Sequence, residues 1–283
     1  MNRIDFALVI GVKNANPNGD PLNGNRPRQI FGGKGEISDV CLKRKIRNRL
    51  LDAGESVLIQ SNDYKNDNFG SIRERVESAK LPQGDEASRK AACEKWLDVR
   101  SFGQVFAFKK SAKKGKNSSD GHDEGEEQAS VSIGVRGPVT IQAAYSLEPI
   151  TITSEQITKS VNGEPTETGK KASDTMGMKH RVDSGVYVAY GSISVQLAER
   201  TGFTEQDAEK IKSALENLFQ NDESSARPAG SVNVLHVVWW KHSCKRGNHS
   251  VARVHRSLAV NNDGSIETEE LDGVETEVYH GVV

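Results

Sequence analysis

Apolar side chains alternate at the start of the chain. Over residues 4–13 they fall on Ile4, Phe6, Leu8 and Ile10, with Val9 and Val12 on the opposite parity. Period two of this kind predicts a strand with one face buried. Residues 14–35 then lose all periodicity and fill with Gly, Asn and Pro, which predicts a loop. Period 3.6 takes over at Leu42, Ile46 and Leu50. With Ser38 as N-cap, Asp39 in the first turn and Gly54 as a stop, this predicts a helix over 39–53. Residues 61–94 are polar with few apolar anchors and read as an inserted set of short helices and loops. β-Branched and aromatic residues return at 104–108 and 131–145, predicting strands. Between them, residues 109–128 run through five lysines and then five acids among Gly and Ser, the composition of a mobile loop. A second irregular excursion spans 151–181. A strand is predicted at 185–197, a helix opens at Thr204 with Asp207 three residues on, and strands follow at 232–241 and 251–260.

Stripped of insertions, the order is β, α, β, β, α, β. It predicts an α+β fold of RRM or ferredoxin-like type, an antiparallel sheet with both helices on one face. Composition adds limits. Only 35% of the 283 residues are hydrophobic and the mean hydropathy is −0.60, so a core coexists with long exposed segments. The longest apolar stretches fall far short of the roughly 20 residues of a spanning helix, and the N-terminus lacks a signal-peptide core. Cys41, Cys93 and Cys244 are scattered and odd in number, which fits a reducing compartment. The expectation is a cytoplasmic protein with no membrane partner.

The net charge of −1 conceals segregation. Residues 26–49 hold eight basic side chains and two acidic ones, while 257–283 hold seven acids and no Lys or Arg. On the first helix Lys43, Arg44 and Arg47 fan to one flank of the apolar stripe, and Lys45 and Arg49 to the other. No acid within the run sits at i±4 to neutralise it, which favours contact with a phosphate backbone. The preceding loop brings Asn18, Arg26 and Arg28, and with Ser38 at the helix start it suits anion binding. Gly19 to Gly24 has the spacing of a P-loop, but Asn25-Arg26 replaces the Lys-Ser/Thr pair, which argues against nucleotide hydrolysis.

Arg100-Ser101-Phe102-Gly103-Gln104-Val105-Phe106 partly matches the RNA-stacking strand of RRMs, making Arg100 and Phe102 candidates for RNA contact; the competing reading packs Phe102 and Phe106 into the core. Met176 and Met178 precede Lys179-His180-Arg181, a pairing suited to wedging between bases while cations hold phosphate, or equally to packing the root of the excursion. His236, His242, His249 and His255 gather near Cys244 without a zinc spacing and beside Lys241, Lys245 and Arg246, so no metal or other cofactor is expected.

Asn16-Pro17-Asn18-Gly19-Asp20, then Gly24-Asn25-Arg26-Pro27-Arg28, then Ser38-Asp39-Val40-Cys41-Leu42-Lys43-Arg44-Lys45-Ile46-Arg47 resemble the Cas-seven family of CRISPR-associated proteins, and look closest to its type I-C branch. Asp98-Val99-Arg100-Ser101-Phe102-Gly103, the stretch from Lys179 to Tyr187, and Gly202-Phe203-Thr204 match in the same order. The resemblance implies an RRM-like palm over 1–60, 95–150 and 182–283, finger-like helices at 61–94 and a projecting thumb at 151–181. It implies a non-catalytic subunit that lines up head to tail along CRISPR RNA, beside other Cascade subunits, in an antiviral complex whose guide pairs with a target DNA strand. On that reading Arg26, Arg28, Lys43, Arg44 and Arg47 hold the guide, and Met176 and Met178 form the wedge. Asp174 lies where related type III subunits carry a cleaving aspartate, but type I members are not expected to cut. The competing enzyme reading is a metal-independent endoribonuclease of the same superfamily using His242 or His249. The acidic stretch 263–277 is expected to face outward or to meet the basic surface of a neighbouring copy.

Overall fold

β1 (Ile4–Ala15) is the spine of the fold in a computed structural model that describes residues 1–107, 132–160 and 176–281. The chain continues through β2 (Gly19–Asp20), β3 (Arg26–Pro27), β4 (Lys34–Ile37) and helix α1 (Asp39–Asp52). Next come α2 (Ile72–Ser78), α3 (Asp85–Lys95), α4 (Leu97–Phe102), β5 (Gly103–Ala107), β6 (Ser132–Arg136), β7 (Val139–Ile141) and β8 (Ala144–Pro149). β9 (Ile152–Thr158), β10 (Met176–Ile193), α5 (Val195–Thr201), α6 (Glu205–Glu216), β11 (Val232–His242), α7 (Val251–Arg256), β12 (Leu258–Val260), β13 (Ile266–Thr268) and β14 (Val274–His280) complete it.

The main sheet is antiparallel in the order β14-β11-β1-β10-β8-β4, with β7 and β9 also on β10. Its centre, β11-β1-β10-β8, with α1 after β1 and α6 before β11, is the predicted βαββαβ arrangement. Leu8 faces Ala189 on one side and Val237 on the other, so β1 is hydrogen-bonded along both edges. Alternation sorts its side chains. Ile4, Phe6, Leu8 and Ile10 pack under Leu42, Ile46 and Leu50 of α1 and Ala208, Ile211 and Leu215 of α6. Ala7 on the other face joins Val238, Trp240, and Val254 of α7. A separate cluster of Leu58, Val76, Ala92, Cys93, Trp96, Val99 and Phe106 ties the inserted helices to α4.

Local signals set the helix ends. The Ser38 hydroxyl accepts the Cys41 N–H at 3.3 Å, and Thr204 with Asp207 forms a capping box. No described helix is long and apolar enough to cross a membrane.

Several expectations are corrected. Residues 14–35 are not all loop: β2 and β3 form a small ladder and Gln29 bridges Gly35. Residues 251–260 are a capped helix followed by a short strand, because Ser250 accepts the Arg253 N–H and the sheet position beside β11 is taken by β14. The described part of the excursion at 151–181 is a two-stranded antiparallel arm, with Val182 opposite Ile152 and Met176 opposite Thr158. Ser194 starts a helix where strand was expected to continue to 197. Arg100 to Phe102 end α4 and only Gly103 starts a strand, so the RRM-like stacking strand does not form there. The expected mobile loop at 109–128, and Asp174, lie outside the described residues.

Candidate nucleic-acid interface

The N-terminus of α1 is latched to the loop before it. Asn18 Oδ1 accepts both the Ser38 N–H at 2.9 Å and the Ser38 hydroxyl at 2.8 Å, while its carbonyl accepts the Arg28 N–H at 3.0 Å. Asn16 Nδ2 donates to the Asn25 carbonyl at 2.7 Å. Asn18 and Ser38 therefore spend their side chains on ordering the loop into a platform.

The arm rises beside this platform. The Gly33 carbonyl accepts the Ile150 N–H at 2.9 Å and a Gln29 amide N–H at 3.1 Å, which ties the turn before β4 to the root of β9. Seven register pairs take the arm about 20 Å outward. Directly opposed residues share a face, so Met176, Met178 and His180 lie on one side with Thr158, Gln156 and Ser154. Lys179 and Arg181 lie on the other with Glu155 and Ile157. Met176 and Met178 are more than half exposed, and Ile157 is half exposed. His180 Nδ1 meets the Ser154 hydroxyl at 2.8 Å, and Arg181 pairs with Glu155 at 2.9 Å.

The cations divide into two sets, which corrects the picture of an unneutralised fan. Arg47 points inward: its Nε donates to Asp98 at 2.9 Å and its guanidinium lies 5.1 Å from the Phe102 ring centre. Arg100 grips both carboxylate oxygens of Asp207. Lys45 is buried against Asp222 and the Phe219 ring, and burial lowers its pKa although Asp222 opposes this. Arg49 donates to the Tyr64 hydroxyl and pairs with Asp52. Apart from Asp52, three residues on from Arg49 in the same helix, the neutralising acids come from distant segments that no inspection of the helix itself shows. The second set is available to solvent. Lys43 makes only an i,i+4 pair with Asp39, worth about 0.3–0.5 kcal/mol, and Arg44 an exposed pair with Asp63 at 2.8 Å, worth at most about 1 kcal/mol. Arg28 stays 3.8 Å from Asp20 and 4.0 Å from Glu36, and its Nε has no partner. Arg26, Lys34 and Lys179 make no side-chain ion pair or hydrogen bond among the described residues.

Among the described residues no two side chains of His236, His242, His249 and His255 share a hydrogen-bond partner, although His236 Nδ1 meets His280 Nδ1 at 3.0 Å. His242 is buried, with Nε2 on Asp5 at 2.9 Å and Nδ1 accepting the Asn248 N–H at 2.9 Å. Burial pushes the Asp5 carboxyl up, yet the hydrogen bonds from His242 and Arg3 outweigh it and hold its pKa low. His249 is bonded to the Asp272 carbonyl, His236 to the Gly264 carbonyl, and His255 to the Gly191 carbonyl while stacked on Tyr190. Among the described residues no three His, Cys, Asp or Glu side chains are grouped to hold a metal ion. On the acidic side, Glu277 is held by Lys212 and Lys241, whereas Glu267, Glu270, Asp272 and Glu275 form no ion pair among the described residues. Two features of the platform escaped the sequence reading: the fully exposed Phe31 and the neighbouring Lys34. The only signal for them was Gly32-Gly33, a pair that fits a tight turn and little else.

The family model for CRISPR-associated protein Cas7 matches residues 2–278. A relative described as CRISPR-associated protein Cas7, from Haloferax volcanii, is 26% identical over 282 residues, covering 94% of this chain and 77% of the relative. A solved chain from a CRISPR RNA-guided surveillance complex in its pre-nicking state is similar in fold. It superposes with a TM-score of 0.50 at 16% identity, covering 84% of this chain and 78% of that one.

Proposed function

The chain belongs to the CRISPR-associated protein Cas7 family, and on that footing we propose that it is a non-catalytic backbone subunit binding CRISPR RNA in a Cascade surveillance complex of type I-C. The observation that carries the reading is the juxtaposition of a basic platform with a projecting arm. Arg26, Arg28, Lys34, Lys43 and Arg44 present charge that weak surface pairs do not hold back. The described part of the arm beside them carries the exposed Met176 and Met178. Phosphates would lie along the platform, where positive charge tracks a strand without reading its sequence. The arm is then the thumb, whose methionines enter between bases with Lys179 on its opposite face. The inserted α2 and α3 correspond to the fingers, and the remainder to the palm.

Copies of the chain are proposed to follow one another head to tail along the RNA, a heterologous contact that does not close on itself. The outward acids Glu267, Glu270, Asp272 and Glu275 are suited to meet a neighbour's basic surface. Other subunits of the complex and the DNA strand paired to the guide complete the proposed partners. The endoribonuclease reading has little to stand on: His242 is buried with both ring nitrogens engaged, and His249 bonds a carbonyl.

The test is the salt dependence of binding to single-stranded RNA. Each lost phosphate contact flattens the log–log slope by about 0.7. The combined R26A/R28A/K43A/R44A variant is expected to lower the slope by about 3. An unchanged slope overturns the platform as the phosphate site.

A further inference from the structure

The platform carries an aromatic ring that nothing in the described protein uses. Phe31 has a relative exposure of 105%, at the tip of the turn between β3 and β4. The turn is braced. Ile30 N–H donates to the Lys34 carbonyl at 2.9 Å and Gly33 N–H to the Ile30 carbonyl at 3.1 Å, and the Gly33 carbonyl is held from the arm root. Gly32 and Gly33, at φ +91° and +81°, occupy backbone conformations that suit glycine, so the reversal that sets Phe31 outward is written into the sequence.

The residues flanking Phe31 in the chain include the part-exposed Ile30 and several cations. Lys34 is exposed and Arg26 half-exposed, both without a side-chain partner among the described residues, and Arg28 makes only long contacts. All lie within five residues of Phe31, which the chain can span in little more than about 15 Å. The other apolar side chain left wholly in solvent, Leu22, sits on the separate turn Pro21–Asn23. An aromatic that docks on protein is usually the centre of a desolvated apolar patch. An exposed ring close in the chain to unpaired or weakly paired cations instead matches single-stranded nucleic-acid sites, where a π-face takes a base while cations take the phosphates on either side.

We propose that Phe31 stacks on a nucleobase of the RNA strand whose phosphates Arg26, Arg28 and Lys34 hold, a second stacking post separate from the methionines of the arm. The inference rests on the RNA-binding reading above. Because every base offers a π-face, the contact is tolerant of sequence. It fixes the spacing of bases relative to the platform without restricting which guide is bound.

Three variants test it: F31A, F31L and F31W, with binding of fluorescent single-stranded RNA measured across a salt series. Stacking is worth roughly a tenfold to hundredfold affinity change per base. F31A and F31L are both expected to lose about that much at every salt concentration with the slope unchanged, since a neutral ring releases no counterions. F31W should retain affinity. Trp96, Trp239 and Trp240 are fully buried, so the new indole would be the exposed one, and its emission should be quenched by RNA but not by an abasic strand of the same length. Wild-type affinity in F31A, or equal quenching by the abasic strand, overturns the proposal. Wild-type affinity combined with lost self-association on long RNA would assign Phe31 to a protein contact instead. Failure of the unmodified protein to bind single-stranded RNA overturns the functional reading beneath it, a result separate from any effect at Phe31.

Discussion

Arg100 and Asp207 lock α4 to the start of α6: Nε and Nη2 of the arginine reach the two carboxylate oxygens at 3.0 and 2.8 Å. The same carboxylate accepts the Thr204 N–H at 2.9 Å, so one buried aspartate serves both a cap and a cross-link. Burial pushes its pKa up, but the Arg100 and Thr204 hydrogen bonds prevail and keep it low.

R100A leaves that carboxylate without its cation, and breaking a buried pair of this kind costs about 3 kcal/mol. Urea denaturation is expected to show the loss, while the salt slope of RNA binding by the folded variant stays as in wild type. A slope reduced by about 0.7 would return Arg100 to the RNA contacts.

Asp98 plays the corresponding part at the edge of the insertion. It is almost fully buried, accepting Arg47 Nε at 2.9 Å, the Leu58 N–H at 2.8 Å and the Ile59 N–H at 3.1 Å. D98A strands three donors and is expected to destabilise by roughly 3–5 kcal/mol. Hydrogen exchange at Leu58 and Ile59 should quicken well ahead of exchange in β1.

Stability should fall with acidification in two stages. Burial pushes the His236 pKa down, the Gly264 carbonyl opposes this and His280 adds to it; burial likewise lowers His255 against its bond to the Gly191 carbonyl. Both are held neutral in the folded chain and take up protons more readily when unfolded. The stability they contribute is therefore present above about pH 6.5 and is lost as the pH falls below it. The second stage follows below about pH 4, where Asp5, Asp207 and Glu277, all with lowered pKa values, would have to be protonated. Thermal melts across pH 8 to 3 check this, each group contributing at most about 1.4 kcal/mol per pH unit. H236Q should flatten the upper stage and leave the lower one in place.

The acidic edge gives a further expectation. β14 pairs with β11 over seven residues, so truncating it would damage the sheet as well as the charge. Neutralising the unpaired acids with E267Q/E270Q/D272N/E275Q avoids this. Assembly on long RNA is expected to weaken by roughly tenfold or more while binding of a single copy to a short RNA is unchanged. Light scattering beside anisotropy measures both, and equal loss in the two would assign the acids another role.

Legibility followed sequence distance. β1, α1, α6 and β11 were readable because their periodicity and caps are local: Ser38, Thr204 and Asp207 lie within four residues of what they cap. The fate of the basic run was not, because the acid for Arg47 lies 51 residues away and that for Lys45 lies 177 away. A six-residue helix such as α7, with Val251 and Val254 as its apolar residues, looks like strand until its cap is seen. A projecting thumb at 151–181 was expected, but the strand pairing within it was not legible, because alternation among polar residues announces no buried face and the pairing is settled by the partner strand.

Copies of this protein are proposed to line up along one RNA strand. Native mass spectrometry of the purified protein on a ladder of single-stranded RNAs of increasing length tests it most directly. Bound copies are expected to rise in integer steps at a constant number of nucleotides per copy. One copy per strand at every length would contradict it.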